Sequence, residues 1–328
     1  MRGNILLEQK ISLFLNMSFQ RYICWIVTFL IIIFLTIFLI LFFSWSEPYP
    51  FTDEEIQKGQ REIETSRVIF AGLVRDKEDR VPYIKKRLEA LGEPFKDYHI
   101  LIVENDSEDQ TRERLLEWQR KTPKVTILGC GENVKKCQLE LEATKVKTFG
   151  SNRIKKMAYL RNIYVDYVHE HFGEWDYLVV NDLDLLADLS DKGWKSAFGN
   201  FRQDPSLSAI SAYGYYDLWF KKMFYDDFAF VPLGSSIERS NSKATHFGIK
   251  EKIEMERYQL ETKKELVPVK SSFSGLTVYR LSHVPKKARY DYCHSDGKHA
   301  CEHSYFNQHL NKIVVHPGLK YRIINNKV

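Results

Sequence analysis

From Tyr22 to Phe43 the chain reads YICWIVTFLIIIFLTIFLILFF, 22 residues without a charge. Such a run is long enough to cross a hydrocarbon layer of roughly 30 Å as one helix. A helix is the form open to it, because each backbone N–H and C=O there must be satisfied without water. A cleavable secretory signal would have an apolar core of about 7 to 15 residues and a small-residue cleavage site. This run is longer and ends in Phe42-Phe43-Ser44-Trp45, which offers no such site. Arg2, Lys10 and Arg21 precede it, and no Lys or Arg follows before Lys58, so the N-terminus is expected in the cytosol. The expected organisation is a cytosolic tail over 1–21, a membrane helix over 22–43, a polar stalk over 44–66, and a folded domain over 67–328. In a eukaryote that single-pass type II arrangement puts the domain in the Golgi or ER lumen.

The chain has 48 basic and 43 acidic side chains, a net charge of +5. The first 43 residues hold three basic groups and one Glu, so the far-side domain keeps too small an excess to favour nucleic acid. With 44% apolar and 14% aromatic residues it is a folding chain and not a disordered one. Beyond the span, Cys130, Cys137, Cys293 and Cys301 form two close pairs. Two short disulfide loops in an oxidising lumen, or four free thiols in a reducing compartment, both fit that spacing, and no zinc motif does.

Periodicity predicts an α/β domain. Val68 to Val74 reads as a buried strand, Val81 to Leu91 as a helix stopped by Gly92 and Pro94, and Tyr98 to Val103 as a second strand. A helix running to Gln119 and a strand at Val125 to Leu128 follow. Cys130 to Gly150 reads as a loop, Arg153 to Phe172 as a helix, and Asp176 to Val180 as a fourth strand. Alternation of strand and helix predicts a mostly parallel central sheet covered by helices. Leu207 to Ala212 and Leu276 to Tyr279 read as later strands, separated by a charged insertion around Ser235 to Glu265.

The fourth strand delivers Asn181-Asp182-Leu183-Asp184, and in open parallel sheets ligands gather beyond such strand ends. Two carboxylates two residues apart are hard ligands for Mg²⁺ or Mn²⁺, and a metal there could hold a diphosphate. An acidic D-x-D is commonly a solvated turn, but Tyr177-Leu178-Val179-Val180 is too apolar to lead into an ordinary one. After the second strand, Glu104 to Thr111 (ENDSEDQT) can accept hydrogen bonds from ribose hydroxyls or a base N–H. A strand-to-helix loop capped by Asp and Ser would look the same.

In this order VIFAGLVRD, ILIVENDSEDQT, RIKKMAYLRN, WDYLVVNDLDL, SSFSGLTVYR and CEHSYFN resemble the GT-A class of nucleotide-sugar glycosyltransferases, with a Rossmann-like nucleotide-binding half. The likeness covers roughly Arg67 to His316 and looks closest to the fungal capsule and mannan mannosyltransferases, which are also membrane-anchored. It implies transfer of a hexose, with mannose favoured, from a GDP- or UDP-linked donor to a glycan hydroxyl, assisted by Mn²⁺ or Mg²⁺. The resemblance places Gly72, Arg75, Glu104 and Asp106 around the nucleotide. Arg153 and Arg161 would approach the sugar or diphosphate, and Asp182 and Asp184 would hold the metal, Asp184 directly. It puts Gly275 where backbone passes close to the sugar, and Glu302 where a general base would face the acceptor if configuration is inverted.

Five of the ten histidines lie between His294 and His316. Their spacing fits no zinc pattern, and His316, before Pro317-Gly318, is the candidate for an additional ligand to the same metal. Asn105-Asp106-Ser107 is a formal N-glycosylation sequon, and a glycan there would block the expected pocket. Two other functions are compatible with these motifs. One is a metal-dependent phosphohydrolase built from Asp182, Asp184 and the histidine-rich tail; the other is a noncatalytic, anchored glycan-binding scaffold.

Overall fold

The computed structural model describes residues 21–39, 49–129, 151–218, 221–226, 228–240, 260–292, 294–295 and 298–324. The chain divides into two units, Met1–Glu47 and Pro48–Val328. In the first, helix α1 (Arg21–Leu39) has 19 residues, a mean hydropathy of 2.8 over its best window, and no buried residue. It is long and apolar enough to cross a membrane. Residues 40–48, which include the expected end of the span, lie outside the described residues.

The second unit opens with α2 (Asp53–Thr65), capped by Thr52, whose hydroxyl accepts from the Glu55 N–H at 3.2 Å. Strand β1 (Arg67–Val74), helix α3 (Val81–Gly92), β2 (Asp97–Glu104), α4 (Thr111–Lys121) and β3 (Val125–Leu128) follow. After Ser151–His171 (α5) come β4 (Tyr177–Asn181), β5 (Ala187–Leu189), α6 (Asp191–Gln203), β6 (Ala209–Leu218) and β7 (Lys221–Phe224). The rest comprises β8 (Val231–Pro232), β9 (Arg239–Ser240), β10 (Val267–Ser271), β11 (Leu276–Arg280), β12 (His294–Ser295), β13 (Lys298–His299), α7 (Glu302–Asn307) and β14 (Ile313–Ile323).

The main sheet runs β3-β2-β1-β4-β11-β6-β14-β10-β8. Its first four strands are parallel, and β6 and β14 keep their direction, while β11 and β10 run against it. The sheet is buried on both faces, as an α/β sheet must be. Val68, Phe70, Tyr177 and Val179 point toward α2, α3, α4 and α6; Ile69, Ala71, Leu178 and Val180 point toward α5 and α7. This is the expected α/β class, with the helices and strands anticipated through β4 recovered to within two residues at each end.

The stretch read as a stalk includes helix α2. Tyr49 is buried, and α2 packs along α6 so closely that a Cβ on Gly59 would lie 1.7 Å from the Lys195 carbonyl oxygen. The buried positions of α2 are Glu55, Gly59 and Ile63. They recur every four residues, and two of the three, a carboxylate and a glycine, bring no apolar side chain to the contact.

Candidate functional site

The parallel order of β2, β1 and β4 brings their C-terminal ends to one edge of the sheet. Among the described residues, the non-glycine residues with positive φ are Asp76, Asp106, Asp226 and Ser274. Asp76 and Asp106 follow β1 and β2, while Asp226 and Ser274 adjoin Tyr225 and Gly275 beside the end of β4. Such backbone is costly and persists where the surroundings over-determine it, typically around functional sites.

At the end of β4 the D-L-D segment alternates. Leu183 is buried against Gly72, where a Cβ would lie 2.5 Å from both Leu183 Cγ and the Asn181 carbonyl oxygen. Gly72 therefore seats the D-x-D segment on β1, and its place in the site is indirect. Asp184 is exposed, and its backbone carbonyl accepts from Arg80 Nη1 at 2.6 Å. The Asp182 N–H donates to the Gly275 carbonyl at 3.0 Å. Its carboxylate is 17% exposed and is held on both oxygens: Arg161 Nη2 lies 3.5 Å from Oδ1, and the Tyr225 hydroxyl donates to Oδ2 at 3.0 Å. Burial, reinforced by the Asp184 charge and opposed by Arg161 and Tyr225, pushes the Asp182 carboxyl up to about 7.

Arg161 reaches the site from α5 and is 3% exposed. Its Nε donates to Glu302 Oε1 at 3.2 Å, and its guanidinium lies over the rings of Phe273 and Tyr290 at 5.2 and 5.7 Å. Burial opposes its charge, but Tyr164, Glu302 and Asp182 together outweigh that and keep it protonated. Glu302 opens α7, 8% exposed, with Oε2 accepting from the Cys301 thiol at 3.5 Å. Cys301 is a buried free thiol; Cys130, Cys137 and Cys293, on which the expected disulfide loops depend, lie outside the described residues.

Gly275 has φ +81, and a Cβ there would meet Tyr321 Cε1 at 2.8 Å and Tyr225 Cε1 at 3.4 Å. The glycine lets two aromatic rings close around the D-x-D segment. The Tyr321 hydroxyl donates to Asn181 Oδ1 at 3.0 Å and accepts from Arg87 Nη1 at 3.1 Å.

The acidic loop is largely committed to its own architecture. Glu104, fully buried, accepts from the Ser107 N–H at 2.8 Å and from Arg112 Nε at 2.5 Å. Asp109 accepts from the Glu78 and Thr111 N–H groups, and Asp76 from that of Glu108. Asp106 faces Lys156 of α5 at 3.3 Å. Arg75 is exposed beside Asp76 at 3.1 Å, and Arg153 is exposed about two turns before Arg161 on α5. Asn105 is 6% exposed, so in the folded protein its sequon is closed to a glycan.

The metal-ligand expectation for His316 is overturned. His316 is fully buried; its Nδ1 accepts the Gly318 N–H at 3.0 Å and its Nε2 meets Ser196 Oγ at 2.6 Å. That leaves no ring nitrogen for a metal. Ser196 also bonds Glu55, which takes a further bond from Asn200 at 2.5 Å. Burial pushes the His316 imidazole down to about 3. The residue ties α2 and α6 to β14 and takes no part in the D-x-D site.

The structure thus brings Asp182, Asp184, Arg161, Glu302 and Gly275 together. It adds Tyr225, Tyr321, Phe273 and Tyr290, which stood among 18 Tyr and 21 Phe with no distinguishing spacing. Among the described residues no three His, Cys, Asp or Glu side chains converge to hold a metal by themselves.

A family model described as Cryptococcal mannosyltransferase 1 (CAP59_mtransfer) matches residues 67–308, well over half of the chain. The chain belongs to the CAP59 mannosyltransferase family. The span matched by this glycosyltransferase family contains the D-x-D segment, Arg161, Gly275 and Glu302, and excludes α2, His316 and Tyr321. Comparison with curated protein sequences yields no match. Among solved structures, the mannosyltransferase PcManGT from Pyrobaculum calidifontis, in complex with GDP-Man and Mn2+, is 9% identical with a TM-score of 0.45; the match covers 83% of this chain and 64% of that one. TarS 1-349 of S. aureus in complex with UDP-GlcNAc is 12% identical with a TM-score of 0.44, covering 80% and 59%. The chain therefore spans about three-fifths of the length of these structures.

Proposed function

We propose that the protein transfers a hexose, mannose from a GDP-linked donor in the first instance, to a glycan hydroxyl, and that a divalent ion assists at the D-x-D segment. The observation that carries this is the pairing, in a chain of the CAP59 family, of an exposed Asp184 with an Asp182 held on both oxygens at the end of β4. Two hard carboxylates with no third protein ligand among the described residues suit Mn²⁺ or Mg²⁺, which characteristically take their remaining ligands from water and substrate phosphates. When bound, such an ion supplies positive charge for the departing nucleotide diphosphate.

The chain's own residues then have distinct tasks. Asp184, exposed and with no side-chain partner among the described residues, is the direct ligand, and Asp182 is the second carboxylate held beside it. Arg161 brings a fixed positive charge to the edge where negative charge develops as the bond from the anomeric carbon to the diphosphate oxygen breaks. Its Nη1 is buried with no hydrogen-bond partner among the described residues. Glu302 is a counter-charge to Arg161: with Oε1 on the guanidinium and 8% exposure, it orients that group in preference to receiving a proton from an acceptor hydroxyl. Asp106 and Lys156, paired at 3.3 Å, are among the groups on the nucleotide side that stay partly accessible. The phosphohydrolase alternative loses support because His316 is committed elsewhere and, among the described residues, no three His, Cys, Asp or Glu side chains converge to hold a metal. Helix α1 supports a single-pass anchor, and the Arg and Lys residues that precede it favour the domain on the far side of the membrane.

The test is a thermal-shift panel on the full chain in detergent with GDP, UDP and CDP, with and without Mn²⁺. A ligand at 100 times its Kd stabilises the native state by about 2.7 kcal/mol. A shift that requires metal and is absent in Asp184→Asn is expected. A shift from no nucleotide would favour the scaffold alternative, as would an Asp184→Asn protein that keeps its biological role.

A further inference from the structure

Four groups converge on the Asp182 carboxylate and its backbone, the Tyr321 hydroxyl donating to the Asp182 carbonyl at 3.4 Å among them, and one of the two on the carboxylate has no task in the function proposed above. Arg161 neutralises charge, and the Gly275 carbonyl fixes the Asp182 N–H. The Tyr225 hydroxyl, donating to Oδ2 at 3.0 Å, neither neutralises charge nor supports the fold around it. Its backbone is already tied, the N–H donating to the Gly214 carbonyl at 2.9 Å, and its ring is in place beside Gly275. Asp226, which follows, has φ +67, a strained backbone that aims the Tyr225 segment at the sheet edge and does not extend β7.

We propose that Tyr225 is a positioning residue that sets the Asp182 carboxylate for the metal and diphosphate. Two oxygens on a freely rotating carboxylate are equivalent; with Arg161 on Oδ1 and Tyr225 on Oδ2, the plane of the group is set from both ends. A phenol suits this task because it donates a hydrogen bond without adding a charge that would compete with a cation. Partners of this kind, which hold a ligating carboxylate without touching the metal, commonly account for 10- to 100-fold in metal affinity. Gly275 must lack a Cβ because its φ is +81 and one would lie 2.8 Å from the Tyr321 ring, while the Tyr225 ring packs at 3.4 Å from the same position.

The inference rests on the D-x-D reading above, and the experiment separates the two. Binding of Mn²⁺ is measured by electron paramagnetic resonance on the full chain in detergent, with GDP and with UDP, for wild type, Tyr225→Phe, Asp182→Asn and the double variant. Tyr225→Phe removes one oxygen and keeps the ring, so a cooperative melt within about 5 °C of wild type is expected. Its affinity for the Mn²⁺ nucleotide complex should fall 10- to 100-fold. In the Asp182→Asn background the same change should alter affinity less than twofold, because Tyr225 acts only through that carboxylate. Wild-type binding with an unchanged Tyr225→Phe affinity would overturn the positioning role and leave the D-x-D reading standing. Equal losses in the two backgrounds would overturn it as well, by showing a general effect on the fold. No metal-dependent nucleotide binding in wild type would overturn both.

Discussion

Acidification from pH 7 to pH 5 should remove about 2 kcal/mol of stability through His316 alone. In the folded protein burial pushes this imidazole down to about 3 from its ordinary 6.5. The unfolded chain therefore binds a proton below pH 6.5 that the native protein refuses, so stability present above 6.5 is lost progressively as pH falls toward 3. At pH 5 the unfolded side chain lies 1.5 pH units below its ordinary 6.5, and about 1.36 kcal/mol per unit gives the figure above. The change that isolates this contribution is His316→Asn. An amide oxygen can accept the Gly318 N–H and an amide NH₂ can face Ser196, but the group does not titrate. Thermal melts of wild type and variant at pH 7 and pH 5, in chelator so that no metal contributes, should show wild type losing about 4 °C more than the variant over that interval. Other titrating groups, His99 and His303 among them, are shared by both proteins and cancel. Parallel losses in the two would refute the reasoning and mean that His316 is hydrated or already charged in the fold.

Arg161→Met should cost about 3–5 kcal/mol, since Asp182 and Glu302 would each lose the cation that compensates them; urea melts measure this, and Arg161→Lys should restore little because one ammonium cannot reach both acids in the geometry of a fork. Gly275→Ala should cost about 1–3 kcal/mol from its left-handed φ alone and more from the Tyr321 ring, read as a lowered Tm with weakened Mn²⁺ nucleotide binding. Proteins truncated at residue 49 should melt cooperatively, whereas those truncated at residue 67 should lose cooperativity, because α6 would expose the face that α2 covers; equal melting of the two would refute the integration of α2.

The strands β1 to β4 and the helices between them were determined locally. Runs such as Ile100-Leu101-Ile102-Val103 are buried on both faces and carry that fact in their composition, and the D-x-D stands at a strand end because the apolar run before it stops there. Pairing is another matter. The long strand β14 carries Pro317-Gly318, residues that ordinarily punctuate turns, yet the chain passes through them with a shift of register between His316 and Lys320 and pairs with β6 on both sides. In the same way α2 reads as polar stalk, because what it buries is a carboxylate and a glycine that become satisfactory only when α6 supplies Ser196 and Asn200.

The site divides along the same line. Asp182 and Asp184 could be named from the sequence, since charge at the end of an apolar run is informative by itself, and Arg161 and Glu302 from the resemblance. Which oxygen faces which partner could not. Residues 161, 182, 225, 275 and 302 meet only because β11 inserts between β4 and β6 and α7 returns beneath α5. His316 shows the reverse case: a residue type that binds metals, placed by tertiary structure among backbone N–H groups and a serine that occupy both its nitrogens. A side chain's type limits the bonds it can make, and only the fold decides which of those bonds are already taken.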